Sequence, residues 1–291
     1  MIRTRQTGRK GAAALALAAL LFAAHDARAQ EARTDSIDIS YEAPSDPSHR
    51  AIYEAIRDKR VLESFQRAYA PFRLPRRLLA KTAGCNGDIN ASYEAGVIVI
   101  CYEYLQYVAE IAASRRRPSD LPESAALAGP VLDVFFHEAA HAVFEYLRTP
   151  IFGREEDAAD QMSALAILHL GGDDSAALIR GIAFMYLEEA GVSGKRLSRP
   201  RLRFVRPTSF ADEHSTPLQR KFNILCLAYG SDAKKFARLV AEGALPKERA
   251  ELCEGEYAQA VHAFRSLILP HLDRPLAQAT YGPIQMLRAG P

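Results

Sequence analysis

The chain has 291 residues, with 37 Lys and Arg against 35 Asp and Glu. Five of those basic residues and one acidic residue fall in the first 29 positions, leaving 32 against 34 and a net charge near −2 for the rest. That balance gives no basic footprint for nucleic acid, and the length allows one large domain or two small ones packed closely.

Residues 1–29 read as a secretory signal. Arg3, Arg5, Arg9 and Lys10 form a basic start, residues 11–24 are a short Ala, Leu and Phe run, and Ala27-Arg28-Ala29 is an A-x-A cleavage site. The apolar run is too short to span a bilayer. No cysteine follows the cleavage site and no arginine pair precedes the run, so neither a lipid anchor nor twin-arginine export is expected. The chain is therefore expected to be exported, periplasmic or secreted in a bacterium, with no stable membrane anchor after cleavage; a non-cleaved anchor is the alternative. Residues 30–47, polar and holding Pro44 and Pro47, read as a flexible leader. Residues 48–291 read as a single domain.

Within that domain, Ile52, Ile56, Leu62, Phe65 and Tyr69 give residues 48–69 the period of an amphipathic helix. Residues 76–82 fit a short strand. Residues 89–93 and 97–101 fit a hairpin turning at Glu94-Ala95-Gly96. The second arm, VIVIC, reads equally as an edge strand along a substrate backbone or as a core strand. Residues 102–113 read as a helix, and Arg115-Arg116-Arg117-Pro118 as a solvated linker.

Residues 131–147, VLDVFFHEAAHAVFEYL, are the chemically informative stretch. No proline or glycine interrupts them, and they are apolar almost all round, as in a buried helix. Asp133, His137, His141 and Glu145 recur every four residues and form one polar stripe. A buried polar stripe costs free energy unless something satisfies it. His137, Glu138 and His141 form H-E-x-x-H: two imidazoles one turn apart reach one zinc ion, and Glu138 takes a proton from its water. The bland alternative is two core histidines bonded to backbone.

Thr149, Pro150 and Gly153 end that helix, and a second runs over residues 155–170. Its acidic start suits a helix N-terminus. Glu156 is expected as the third ligand, 15 positions after His141, with Asp160 one turn on to orient a ligand histidine. The competing reading is that Glu155, Glu156 and Asp157 are a solvated first turn. His169 falls on the opposite face and is expected to be a bystander.

H-E-x-x-H followed by Glu156-Asp157-Ala158-Ala159-Asp160, an E-x-x-A-D pattern, resembles the gluzincin group of zinc peptidases, to which thermolysin belongs. That resemblance implies two histidines and one glutamate as ligands, with the aspartate behind them.

Residues 174–190 read as a further helix and 191–211 as an exposed loop. Helices are then expected over 217–229, 232–242 and 254–272. His214, just before the first of these, is the candidate hydrogen-bond donor to the oxyanion of peptide hydrolysis, with Arg220 as another; a surface histidine is the alternative. Cys85, Cys101, Cys226 and Cys253 are an even set in an exported chain, which suggests disulfides. Three pairings are possible; Cys85 and Cys101 flank the hairpin and Cys226 and Cys253 two consecutive helices, which favours local pairs.

A wider set of residues carries a second resemblance. Cys85-Asn86-Gly87, Asn90-Ala91-Ser92-Tyr93, Ile100-Cys101-Tyr102-Glu103, the H-E-x-x-H stretch, His214 with Gln219-Arg220 and Asn223, Cys226 with Tyr229-Gly230, and Leu245-Pro246 before Cys253 are similar to a family of exported bacterial proteins. The family is a domain of unknown function described as metallopeptidases on their motif. Asn86 stands where that pattern leads one to expect Gly. The resemblance implies a peptidase-type zinc site and both local disulfides.

The expectation is an α+β, mostly helical, zincin-like fold with an active-site helix and a small sheet. It would hold one zinc ion per chain and hydrolyse a peptide or protein substrate, with Glu138 as base. The other readings are a zinc-binding periplasmic scaffold without turnover, and a zinc amidase acting on cell-wall fragments. Intact Glu138 favours an enzyme, because a structural site does not need it.

Overall fold

In the computed structural model, which describes residues 37–170, 172–191 and 212–281, the first strand arises inside the stretch read as a leader. Strand β1, Ile37–Tyr41, alternates apolar and polar residues and buries Ile37 completely. The Tyr41 hydroxyl donates to Glu63 Oε2 at 2.7 Å and accepts from the Leu62 amide at 2.8 Å. The flexible-leader reading is thus corrected from residue 37 on, and the folded unit starts before residue 48. The signal reading lies outside the described residues, as does that of the 191–211 loop beyond Gly191.

The helix expected over 48–69 is two, α1 at Arg50–Asp58 and α2 at Val61–Tyr69. Arg60 breaks the run with a left-handed φ of 52°. Strand β2 is Leu78–Ala83, β3 is Ala91–Glu94 and β4 is Val97–Cys101. The β3–β4 turn has positive φ at Ala95 and Gly96 (48° and 89°), which matches the twist of a tight hairpin. The sheet order is β1-β2-β4-β3, parallel at the first two pairings and antiparallel at the last. VIVIC is therefore an inner core strand with Ile98 and Ile100 fully buried. The edge strand is β3.

Helix α3 is Tyr102–Ala112, and α4 is Glu123–Leu147. The latter begins eight residues before the uninterrupted apolar stretch and runs through Gly129 and Pro130. Two glycines set how it packs. Helix α5 is Glu155–Leu170 and α6 is Ser175–Glu189. A Cβ on Gly129 of α4 would sit 2.4 Å from the Leu178 carbonyl oxygen, and one on Gly181 of α6 would sit 2.2 Å from that of Ala125. Helices α4 and α6 therefore pack backbone to backbone, and this contact fixes the wall of the cleft described below.

Helix α7 is Pro217–Ser231, opened by a Thr216–Gln219 capping box. The helix expected over 232–242 shortens to α8, Ala237–Ala241, because the Asp232 carboxylate accepts from the amides of Lys234 and Lys235 instead. Short α9, Lys247–Ala250, then α10, Cys253–Leu267, and α11, Arg274–Tyr281, complete a mostly helical α+β fold, as expected. No described helix is long and apolar enough to cross a membrane.

All four cysteines are paired locally, Cys85 with Cys101 and Cys226 with Cys253. Loops of 16 and 27 residues correspond to about 3 kcal/mol each in the chain-entropy picture. The first pins the start of the hairpin, where the Glu103 carboxylate also accepts from the amides of Cys85 and Gly87. The second ties α7 to the start of α10.

Candidate metal centre

The polar stripe of α4 divides into three environments. Glu145, at its outer end, is exposed and accepts from Arg76 and from the Tyr93 hydroxyl, both at 2.5 Å. It belongs to the surface, not to the site. Asp133, at the inner end, is buried and accepts from Ser163 Oγ at 2.6 Å and the Tyr186 hydroxyl at 2.9 Å. Between them lie His137, Glu138 and His141.

Arg148 takes a left-handed φ of 51° at the end of α4, and the chain turns so that α5 packs back against it. This brings Glu156 to the histidines. Glu156 Oε2 lies 3.0 Å from His137 Nε2 and 3.5 Å from His141 Nε2, and the two nitrogens are 3.2 Å apart. Donors bound tetrahedrally at about 2.0–2.1 Å stand about 3.3 Å from one another. The three atoms thus have the mutual spacing of ligands to one small cation.

Their outward nitrogens are also held. His137 Nδ1 is 2.9 Å from Asp160 Oδ1, and His141 Nδ1 is 2.8 Å from Glu155 Oε1. A carboxylate only accepts, so each Nδ1 carries the proton and each Nε2 is directed at Glu156. Asp160 is itself gripped by Arg220, whose Nε and Nη2 donate at 2.8 and 2.6 Å. The Arg220 guanidinium lies 4.8 Å over the Tyr186 ring. Its Nε and Nη2 are taken by Asp160, so Arg220 braces His137 through that carboxylate.

His214 comes from the turn before α7. Ser215 Oγ donates to Asp157 at 2.6 Å, and Arg154 donates to the His214 carbonyl at 3.3 Å. These bonds tie the turn to the start of α5. His214 Nε2 then lies 2.9 Å from Glu156 Oε2, with Nδ1 3.3 Å from Asp212 Oδ1. The turn reaches the centre, so His214 is not a detached surface histidine. His169 is elsewhere: its Nε2 is 3.1 Å from the Tyr257 hydroxyl, and burial pushes the ring down to about 4.

The electrostatics of the cluster favour a cation. Burial opposes charge on His137, but hydrogen bonds to Asp160 and Glu156 outweigh it and lift the ring to about 10. Burial is likewise outweighed at His141 by Glu156 and Glu155, and the Glu156 contact lifts His214. Burial raises the Glu156 carboxyl, yet the three imidazoles hold it well below the usual range. The surplus carboxylates retain protons on the histidines, and a divalent ion would displace those protons.

Glu138 is only 7% exposed and burial pushes its carboxyl up. It lines a cleft of about 260 Å³ together with His137 and His214. Ile89, Asn90 and Ala91, leading into edge strand β3, form one side; Tyr104, Tyr186 and Glu189 form another. The last three were not legible as site residues, because each sits in a helix with nothing to mark it. A second cavity of about 480 Å³, between the 149–154 turn and α10, holds none of the clustered histidines.

An H-E-x-x-H helix, a returning acidic helix and a cleft beside their junction have the make-up of a metal-site hydrolase. The chain belongs to a particular family of that class: the one described as "Putative metallopeptidase" matches residues 41–268. Membership implies a metal and a peptide or protein substrate. No curated protein and no solved structure matches the chain.

Proposed function

We propose that the chain is an exported zinc metallopeptidase of gluzincin type, with one zinc ion held by His137, His141 and Glu156. The observation that carries this reading is the 3.0–3.5 Å spacing of His137 Nε2, His141 Nε2 and Glu156 Oε2. Two imidazoles and a carboxylate are a catalytic zinc set. Zinc, when bound, supplies a Lewis acid and lowers the pKa of water.

The chain's own groups do the rest. Glu138, in the cleft beside the cluster, takes a proton from the attacking water and returns it to the leaving amine. Its raised carboxyl suits both directions of transfer. His214 donates to the oxyanion that forms on the scissile carbonyl, its ring oriented by Asp212. Asp160 and Arg220 hold His137 in place. The basic start and cleavage site of residues 1–29 support export.

A second reading, a zinc-binding scaffold without turnover, is favoured by one contact: His214 Nε2 lies as close to Glu156 as the H-E-x-x-H nitrogens do. As a fourth protein ligand it would close the site. A peptide-library digest separates the two readings. The zinc-loaded chain should cleave, a chelator should stop it, and added zinc should restore it. Stoichiometric zinc without any cleavage would favour the scaffold.

A further inference from the structure

Glu189 is the last residue of α6, where the helix dipole is negative and a carboxylate is disfavoured. Its side chain lines the cleft that Glu138 also lines, and it remains accessible to solvent there. Among the described residues no hydrogen bond or ion pair satisfies it. The other carboxylates of this cleft are accounted for. Asp133 is bonded to Ser163 and Tyr186, and Glu138 is assigned to proton transfer. The Arg220 guanidinium, which also lines the cleft, is spent on Asp160.

The surroundings act on this carboxylate in both directions. Although the residue keeps a solvent-exposed face, desolvation in the cleft pushes its carboxyl up to about 7; Arg220 lowers it, while Asp133 and Asp160 raise it further. A carboxylate in a cleft beside reacting groups, without a hydrogen-bond or ion-pair partner among the described residues, marks a place that a ligand completes. A second metal is not that ligand: Glu189 joins no group of three metal-ligating side chains among the described residues. The walls indicate what is. Ile182 and Met185 are apolar, and Tyr104 and Tyr186 present aromatic rings. Such walls suit an aliphatic stem carrying a cationic head, which the carboxylate attracts; the Tyr186 ring is already covered by Arg220.

We infer that Glu189 makes this cleft a subsite for a cationic substrate side chain, lysine or arginine, next to the scissile bond. The inference rests on the peptidase reading for the words "scissile bond", but the recognition itself does not require turnover. Its test therefore has two arms. In the first, Nα-acetyl-lysine amide and Nα-acetyl-norleucine amide are titrated into the zinc-loaded full chain by NMR. The lysine compound should bind at least about tenfold more tightly, and Glu189→Gln and Glu189→Ala should each erase that difference. Equal binding of the two compounds, or a difference that survives both substitutions, would overturn the inference.

In the second arm, the ratio of kcat/KM for peptides with lysine over norleucine at each position is compared between wild type and Glu189→Gln. One position beside the cleaved bond should show a preference that falls by about 10–100-fold, the usual worth of a hydrogen-bonded charge. Cleavage with no cationic preference overturns the subsite and leaves the peptidase reading intact. Selective, Glu189-dependent binding without cleavage supports the subsite and counts against the peptidase reading.

Discussion

Glu138→Gln should retain zinc and lose hydrolysis. The substitution keeps the shape of the side chain and removes its basicity. Glu138 lies in the cleft and is not among the atoms that converge on Glu156, so the ion should remain at about one per chain. The rate should fall by about 10²–10⁴-fold, the range for loss of a positioned general base. Metal analysis and kcat/KM on the same sample check both halves. A variant that cleaves as well as wild type would remove Glu138 from the mechanism.

The second large effect distinguishes the roles of Glu156 and His214. Glu156→Ala should weaken zinc binding by more than the 10–100-fold typical of an outer partner, because it removes a ligand atom. His214→Ala should keep the ion and lower kcat by about 10²–10³, with KM little changed, since an oxyanion donor acts in the transition state. If His214→Ala loses zinc, the histidine is a ligand and the site is closed. If neither zinc nor rate moves, its approach to Glu156 has no functional meaning. Glu155, bonded to His141 Nδ1 but half exposed, should have a smaller effect on zinc than Glu156.

The centre was legible where its signal is local. H-E-x-x-H stands out because a four-residue polar stripe crosses an apolar helix, and Glu156 with Asp160 because an acidic start follows a helix-breaking turn. The pairing of His137 with Asp160 follows from the same one-turn spacing. His214 was legible only as a candidate, since no local pattern states that a turn some 60 residues beyond α5's start will fold back on it. The pairing of Arg220 with Asp160 was not legible for a related reason: the two lie 60 positions apart. Glu189 closes a helix with nothing in the sequence to mark it, and in the folded chain it borders the cleft while keeping an exposed face.

The fold shows the same division. The β3–β4 hairpin was visible from its turn residues. Strand β1 was not, because its parallel partner β2 begins about forty residues later and Pro44 and Pro47 resemble a linker. The first two turns of α4 were hidden by Gly129 and Pro130. In the folded chain that glycine is what lets α6 approach.

Zinc K-edge absorption on the purified chain, with metal analysis of the same sample, reads the three proposed ligands. One zinc per chain is expected, with nitrogen and oxygen donors at about 2.0–2.1 Å. The outer-shell signature of two imidazoles is expected as well, still two in His214→Ala and one in His137→Ala. A chain that takes up no zinc, or one whose zinc keeps two imidazoles after His137 is replaced, would contradict the assignment.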